Sequence, residues 1–204
     1  MKIHTLSVGQ LRTNCYLIED GGEVGIVDPG DDGDYILRKI DDIKAKAVWM
    51  IATHGHFDHV LGVCEIALAA NIPFYLSSKD IFLLEKAKKH AEYFTKVYAD
   101  PILVKPQLVK EGSELLIGKS KFKVIETPGH TPGGISLCCQ GQKAVFCGDL
   151  VFARGTVGRT DFEYASSEDL AKSIKKILKL PDKVAVYPGH GENTTIGNIK
   201  KELK

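Results

Sequence analysis

The sequence predicts an α/β fold, a four-layer αββα sandwich in which two sheets pack face to face and helices cover both outer faces. Three observations predict it. Short apolar strands separated by Gly, Pro and Asp turns recur in both halves of the 204-residue chain. Helical spacing of apolar residues follows strands in each half, and polar residues gather where apolar runs end.

Taken in order, "KIHTLSV" (2–8), "NCYLIED" (14–20) and "EVGIVD" (23–28) read as a meander of short strands, with "DGGE" turning the second into the third. After the punctuating "DPGDDG", Ile36, Leu37, Ile40 and Ile43 fall at helical spacing. "KAVWMIATH" (46–54) is a continuous apolar run with polar residues at its end, as expected of a buried strand that delivers its C-terminal end to a site. A helix closed by Asn71, the strand "IPFYLS" and one or two surface helices over 78–100 complete the first half. In the second half "ELLIG", "FKVIETPGH", "GISLCCQ" and "KAVFCGD" are strands, and "SSEDLAKSIKKILKL" is a helix. Ser167 is expected to cap that helix, and "KVAVYPGHG" is a last strand running into a loop. With no linker, low-complexity tract or short repeat, residues 1–204 are expected to form a single domain.

Composition excludes several function classes. Lys and Arg total 27 against 26 Asp and Glu, a formal charge of +1, so no field favours nucleic acid. The lysines at 86–89 and 172–179 read as solvated helix faces. The N-terminal stretch lacks the apolar core of a secretory signal, and no apolar run approaches the roughly 18 residues of a membrane span. Five cysteines without CxxC spacing point to reduced thiols and a cytoplasmic location. No obligate protein partner is inferred.

The chemistry concentrates in "THGHFDH" (53–59), which holds three of the chain's seven histidines. His54, His56, Asp58 and His59 cannot all face one way on a strand or helix, so the segment must be a loop wrapped around something, and a metal explains the wrapping. His130, Asp149 and His190 stand in the same setting, each after an apolar run and beside glycine. Imidazole and carboxylate without thiolate suit zinc, and also iron or manganese. Seven ligands exceed one tetrahedral ion and divide into two sites if one carboxylate is shared. Two divalent ions so placed would lower the pKa of a shared water enough to supply hydroxide for attack on a carbonyl carbon, with no Ser or Cys nucleophile. Cys138, Cys139 and Cys147 read as buried strand residues, and His4 and His90 as structural or surface histidines.

The chain resembles the metallo-β-lactamase superfamily over nearly its whole length. The pattern His-x-His-x-Asp-His stands intact at His54, His56, Asp58 and His59, with His130, Asp149 and His190 following in order. The resemblance implies that His54, His56 and His130 hold one metal, that Asp58, His59 and His190 hold the other, and that Asp149 bridges them. It implies that Asp58 also orients the nucleophile, and that Asp28 in "VDPG" supports a histidine ligand and the metal loop. Aspartate rather than cysteine at 149 points to the glyoxalase II-like branch. "GDLVFARGTVGRTD" and "PGHGENTTIGNIKKE" are similar to segments of its single-domain members. Arg159 is expected to meet a substrate carboxylate with its bidentate fork, or else to serve structurally by pairing with Asp161 or a loop carbonyl.

The extra C-terminal helical domain with which full-length glyoxalase II enzymes grip glutathione is not expected here. Substrate contacts would fall to residues 154–161 and the helical segment 80–100. The implied activity is hydrolysis of an acyl thioester such as S-lactoylglutathione by two divalent ions, zinc first among them. Alternatives are a persulfide dioxygenase using one iron, and a lactone or ester hydrolase on the same site. The partner expected is a small acyl thioester or ester.

Overall fold

The computed structural model describes residues 1–203; Lys204 lies outside them. The chain opens with a meander of three antiparallel strands, β1 (Lys2–Val8), β2 (Thr13–Asp20) and β3 (Glu23–Val27). Helix α1 (Gly33–Ile43) then crosses to β4 (Lys46–Ile51), helix α2 (Val63–Ala70) to β5 (Phe74–Ser77), and helix α3 (Ile81–Thr95) to β6 (Gln107–Val109). Strands β3 to β6 run parallel, completing a six-stranded sheet in sequence order. The second sheet has β7 (Glu114–Ile117), β8 (Ser120–Glu126), β9 (Ile135–Cys139) and β10 (Ala144–Gly148) antiparallel in succession. Helix α4 (Ser167–Ile177) leads to β11 (Ala185–Pro188), parallel to β10, and β12 (Thr194–Thr195) and helix α5 (Ile196–Glu202) follow.

The period-2 alternation of strands sorts side chains into three apolar layers. On β2, Tyr16 and Ile18 face the second sheet, whereas Cys15 and Leu17 face α1 to α3. On β10, Ala144 and Phe146 face the first sheet, and Val145 and Cys147 pack with Leu170, Ile174 and Ile199 of α4 and α5. The central residues of these strands, 15–18 on β2 and 144–147 on β10, are apolar at successive positions because both faces are covered. The result is a four-layer αββα sandwich.

Several local expectations are met by simple chemistry. Asn71 closes α2 in the left-handed region at φ 49°, which its short amide side chain tolerates. One cap differs: Ser166, not Ser167, caps α4, its hydroxyl accepting from the Asp169 N–H at 3.1 Å. Two serines in succession make the positions equivalent by composition, and only the extended backbone of Ser166 selects between them. Helix α3 is a single helix, and the short β6, β12 and α5 are additions to the sequence-based elements.

Candidate metal centre

Every functional side chain hangs from the C-terminal end of a strand. His54, His56, Asp58 and His59 follow β4, His130 follows β8, Asp149 follows β10 and His190 follows β11. The two sheets therefore meet at one rim with seven polar side chains converging on it. Three groups of ligand atoms each fall within 4.8 Å of one another: His54, His56 and His130; His54, His59 and Asp149; and Asp58, His59 and His190. All seven residues expected from the sequence are brought together.

His56 Nδ1 lies 3.1 Å from His54 Nε2 and 2.9 Å from His130 Nε2. Asp58 Oδ2 lies 3.5 Å from His59 Nε2 and 3.3 Å from His190 Nε2. Asp149 stands between the two triads, with Oδ1 3.6 Å from His59 Nε2 and Oδ2 3.6 Å from His130 Nε2 and 3.7 Å from His190 Nε2. Separations of 3.3–3.7 Å lie at or beyond the long end of the hydrogen-bond range, and two donors each about 2.1 Å from one tetrahedral ion stand about 3.4 Å apart. His59 is fully buried, and its Nε2 and Asp149 Oδ1 have no hydrogen-bond partner among the described residues. Orphaned polar atoms of this kind call for a partner. A Cβ at Gly189 would lie 2.1 Å from Asp149 Oδ1, so only glycine leaves that carboxylate its place. The donor set fits divalent cations.

Electrostatics divides the triads. Burial, reinforced by neighbouring histidines, holds His54 well below the usual imidazole range, and burial with His130 pushes His56 down to about 3. Both are therefore neutral nitrogen donors. At His59 burial opposes charge, yet Asp28, Asp58 and Asp149 overcome it and push the ring up to about 10. His190 is raised for the same reason, burial being outweighed by Asp58 and Asp149. Burial would raise Asp58, but His59 and His190 hold it well below the usual carboxylate range. The second triad thus carries a negative potential that favours a cation.

The outward atoms of the ligands are fixed as well. Thr53 Oγ1 lies 3.1 Å from His54 Nδ1, and His130 Nδ1 donates to the Arg159 carbonyl at 2.8 Å. His56 Nε2 meets the Tyr164 hydroxyl at 2.8 Å, and Thr13 Oγ1 donates to Asp58 Oδ2 at 3.1 Å. Asp28 accepts from Thr53 N at 2.6 Å and Thr53 Oγ1 at 2.8 Å. Its Oδ2 also faces His59 Nδ1 at 3.1 Å, an ion-pair contact without the alignment of a directed hydrogen bond. Asp28 does this from the left-handed region, φ 53°, a strain of order 1 kcal/mol or more in a non-glycine residue. Such partners set ring orientation and basicity.

Asp80 escapes sequence reasoning. Fully buried at the start of α3, it accepts from Gly55 N at 2.9 Å, Thr131 Oγ1 at 2.7 Å and Gly133 N at 2.6 Å. One carboxylate thereby ties the loop of His54 and His56 to the loop of His130. Its sequence context, "SSKDIFLL", signals only a helix start. The His190 loop is pinned to β2 likewise: Asn14 Nδ2 donates to the carbonyls of Pro188 at 3.0 Å and Gly191 at 2.9 Å, and the Tyr16 hydroxyl donates to the Pro188 carbonyl at 2.6 Å.

The site forms the floor of a cavity of about 620 Å³ whose lining includes His90, Tyr93 and Phe94 of α3, with Phe152, Phe162 and Tyr164. His90, read as structural or surface, is a wall residue, because α3 lies along the cavity. Arg159 also lines it, but its guanidinium donates to both carboxylate oxygens of Asp161, at 2.9 and 2.7 Å. The fork expected to receive a substrate carboxylate is engaged within its own loop. Cys147 is buried and its thiol is pushed up to about 12 by burial, so it offers no thiolate.

A sequence profile described as the Metallo-beta-lactamase superfamily matches residues 8–190. The chain belongs to that superfamily. Its members are generally metal-dependent hydrolases that bind divalent metals. A curated relative, hydroxyacylglutathione hydrolase GloC of Haemophilus influenzae, is 33% identical over 204 residues, 98% of this chain and 96% of its own length. Among solved structures, BLEG-1 B3 metallo-beta-lactamase superposes with a TM-score of 0.90 at 32% identity, covering 98% of this chain and 97% of its own. TTHA1623, solved in a di-iron-bound form, gives a TM-score of 0.89 at 32% identity, covering 98% of both chains. No helix among the described residues is long and apolar enough to cross a membrane.

Proposed function

We propose that this protein is a dinuclear metal-dependent hydrolase of hydroxyacyl thioesters, with S-lactoylglutathione as the reference substrate. The observation that carries this reading is the pairing of two ligand triads about Asp149 on the floor of an open cavity, with every ligand present. The likeness to GloC supports the thioester class. His54, His56 and His130 would hold one divalent ion and Asp58, His59 and His190 the second, with Asp149 shared. Zinc is the first choice for these donors, and iron is supported by the di-iron relative. When bound, such ions supply Lewis acidity toward a carbonyl oxygen and a water acidic enough to ionise near neutral pH.

The chain's own residues do the rest. Asp58, fixed by Thr13 and kept ionised, lines the cavity and would orient the attacking water. Thr53, Asp28, Tyr164 and the Arg159 carbonyl hold the imidazoles in one orientation, so little reorganisation accompanies reaction. No side-chain nucleophile is needed, and Cys147 is unsuited to be one. The substrate is a small molecule, and we place the protein in the cytoplasm without nucleic acid or obligate partner.

The test is loss of the S-lactoylglutathione thioester absorbance, its abolition by a chelator and its recovery on adding zinc, iron or manganese. Turnover of a β-lactam, a lactone or a simple ester, or oxygen uptake with glutathione persulfide, in place of thioester hydrolysis would overturn the assignment.

A further inference from the structure

The cavity gathers its ligating imidazoles and carboxylates on the floor, and its walls are mainly apolar, with His90, Arg159 and the hydroxyls of Tyr93 and Tyr164 as the exceptions. The apolar part of the walls comes from Leu11, Phe57, Phe94, Phe152, Val157 and Phe162. Phe94 stacks on Phe57 with centroids 5.9 Å apart and planes 9° from parallel, and Phe162 stacks on Tyr164 at 5.3 Å and 8°. At the mouth, Leu11, Phe94 and Val157 stand 46%, 51% and 42% exposed, a cluster of large apolar side chains left in water beside the reacting centre.

The guanidinium groups that line this cavity and the one adjoining it are both paired with carboxylates. Arg159 is bidentate to Asp161, with its guanidinium over the Phe162 ring at 4.8 Å. Arg154, on the shallow cavity across Phe152, faces Glu192 at 3.9 Å. Lys96 stands over the Tyr93 ring at 4.6 Å and is not part of the wall. A glutathione tail carries two carboxylates and an ammonium, and it would have to displace Asp161 or Glu192 to engage either guanidinium.

Resting on the thioesterase reading above, we propose that the site prefers hydroxyacyl thioesters whose thiol carries an uncharged aryl or alkyl group over the corresponding glutathione thioesters. A hydroxyacyl group is small and polar and matches the floor of histidines and carboxylates. The walls then fall to the thiol portion, and their chemistry is mainly apolar.

The experiment compares kcat/KM of the metal-loaded protein for the lactoyl thioester of phenylmethanethiol with that for S-lactoylglutathione. The benzyl thioester is expected to be favoured at least about tenfold, the discrimination that even one buried methylene can supply. Phe94→Ala should erode the preference through KM, and Phe94→Lys should shift it toward the glutathione thioester. Phe94 is half exposed, so both variants are expected to fold. Equal or better use of S-lactoylglutathione by the natural protein would overturn the proposal.

If neither thioester is cleaved, the thioesterase reading fails, and the preference is read from binding alone. Calorimetry with benzyl methyl sulfide and S-methylglutathione should then show the sulfide tighter and Phe94→Ala weakening it. S-Methylglutathione binding as tightly or more tightly would overturn it.

Discussion

Asp80→Asn isolates what a buried carboxylate contributes to the metal centre without touching a ligand. The substitution keeps shape, but an amide nitrogen has no lone pair to offer. With the amide oxygen in the place of Oδ2, the bonds from Gly55 N and Thr131 Oγ1 survive, and the Gly133 N–H faces a second donor. In the flipped orientation the Gly55 N–H is orphaned instead, and Thr131 must rotate away. Either way one buried donor is left unsatisfied, at a cost of about 1–3 kcal/mol. In a chain of this length about 2 kcal/mol lowers Tm by about 4–8 °C.

Gly55 lies between His54 and His56, and Gly133 lies in the His130 loop, so the same change loosens the first triad. Metal affinity there should fall about 10- to 100-fold, the usual effect of losing a group that supports ligands. Thermal denaturation of the metal-free protein reads the first effect, and competition with a chromophoric chelator reads the second. Thr131→Val, which removes one bond and orphans no backbone donor, should cost about 1 kcal/mol. An Asp80→Asn protein with unchanged Tm and unchanged metal affinity would refute the reasoning.

Three further expectations follow from the geometry. Asp149→Ala should keep the fold while losing one metal per chain and most turnover, measured by elemental analysis beside activity; normal activity would exclude a shared carboxylate. Gly30→Ala would place a Cβ 1.9 Å from the Asp58 carbonyl oxygen, a backbone clash that should destabilise the protein by about 1–3 kcal/mol and weaken metal binding at the Asp58 triad. A thermal scan and metal titration matching the natural protein would remove that contact from the picture. Cys147 should resist iodoacetamide at pH 8 in the folded protein, and Cys147→Ala should keep its turnover, because burial holds the thiol protonated up to about pH 12. Mass spectrometry after alkylation checks the first, and loss of turnover with full metal content would contradict the second.

The seven ligand positions are legible in the sequence because each ends an apolar run, so strand geometry alone sends them to one rim. The two-sheet core is legible for a related reason. Strands such as "NCYLIED" and "KAVFCGD" are apolar at successive positions, which requires cover on both faces. What the sequence hides is long-range satisfaction of polar groups. Asp80 looks like a helix start because its three donors lie 25, 51 and 53 residues away. Tyr164 has no spacing that announces its contact with His56, 108 residues distant. Arg159 and Asp161 are two apart, and their pairing is decided by loop conformation rather than residue type. His90 lacks a distinguishing neighbour, and only the path of α3 brings it to the cavity.

The most direct test is metal content per chain in protein purified without added metal, with S-lactoylglutathione hydrolysis followed on the same sample. Two divalent metals per chain with turnover is the expected result. A single iron per chain with no thioester hydrolysis would contradict the dinuclear hydrolase and turn attention to persulfide-dependent oxygen uptake.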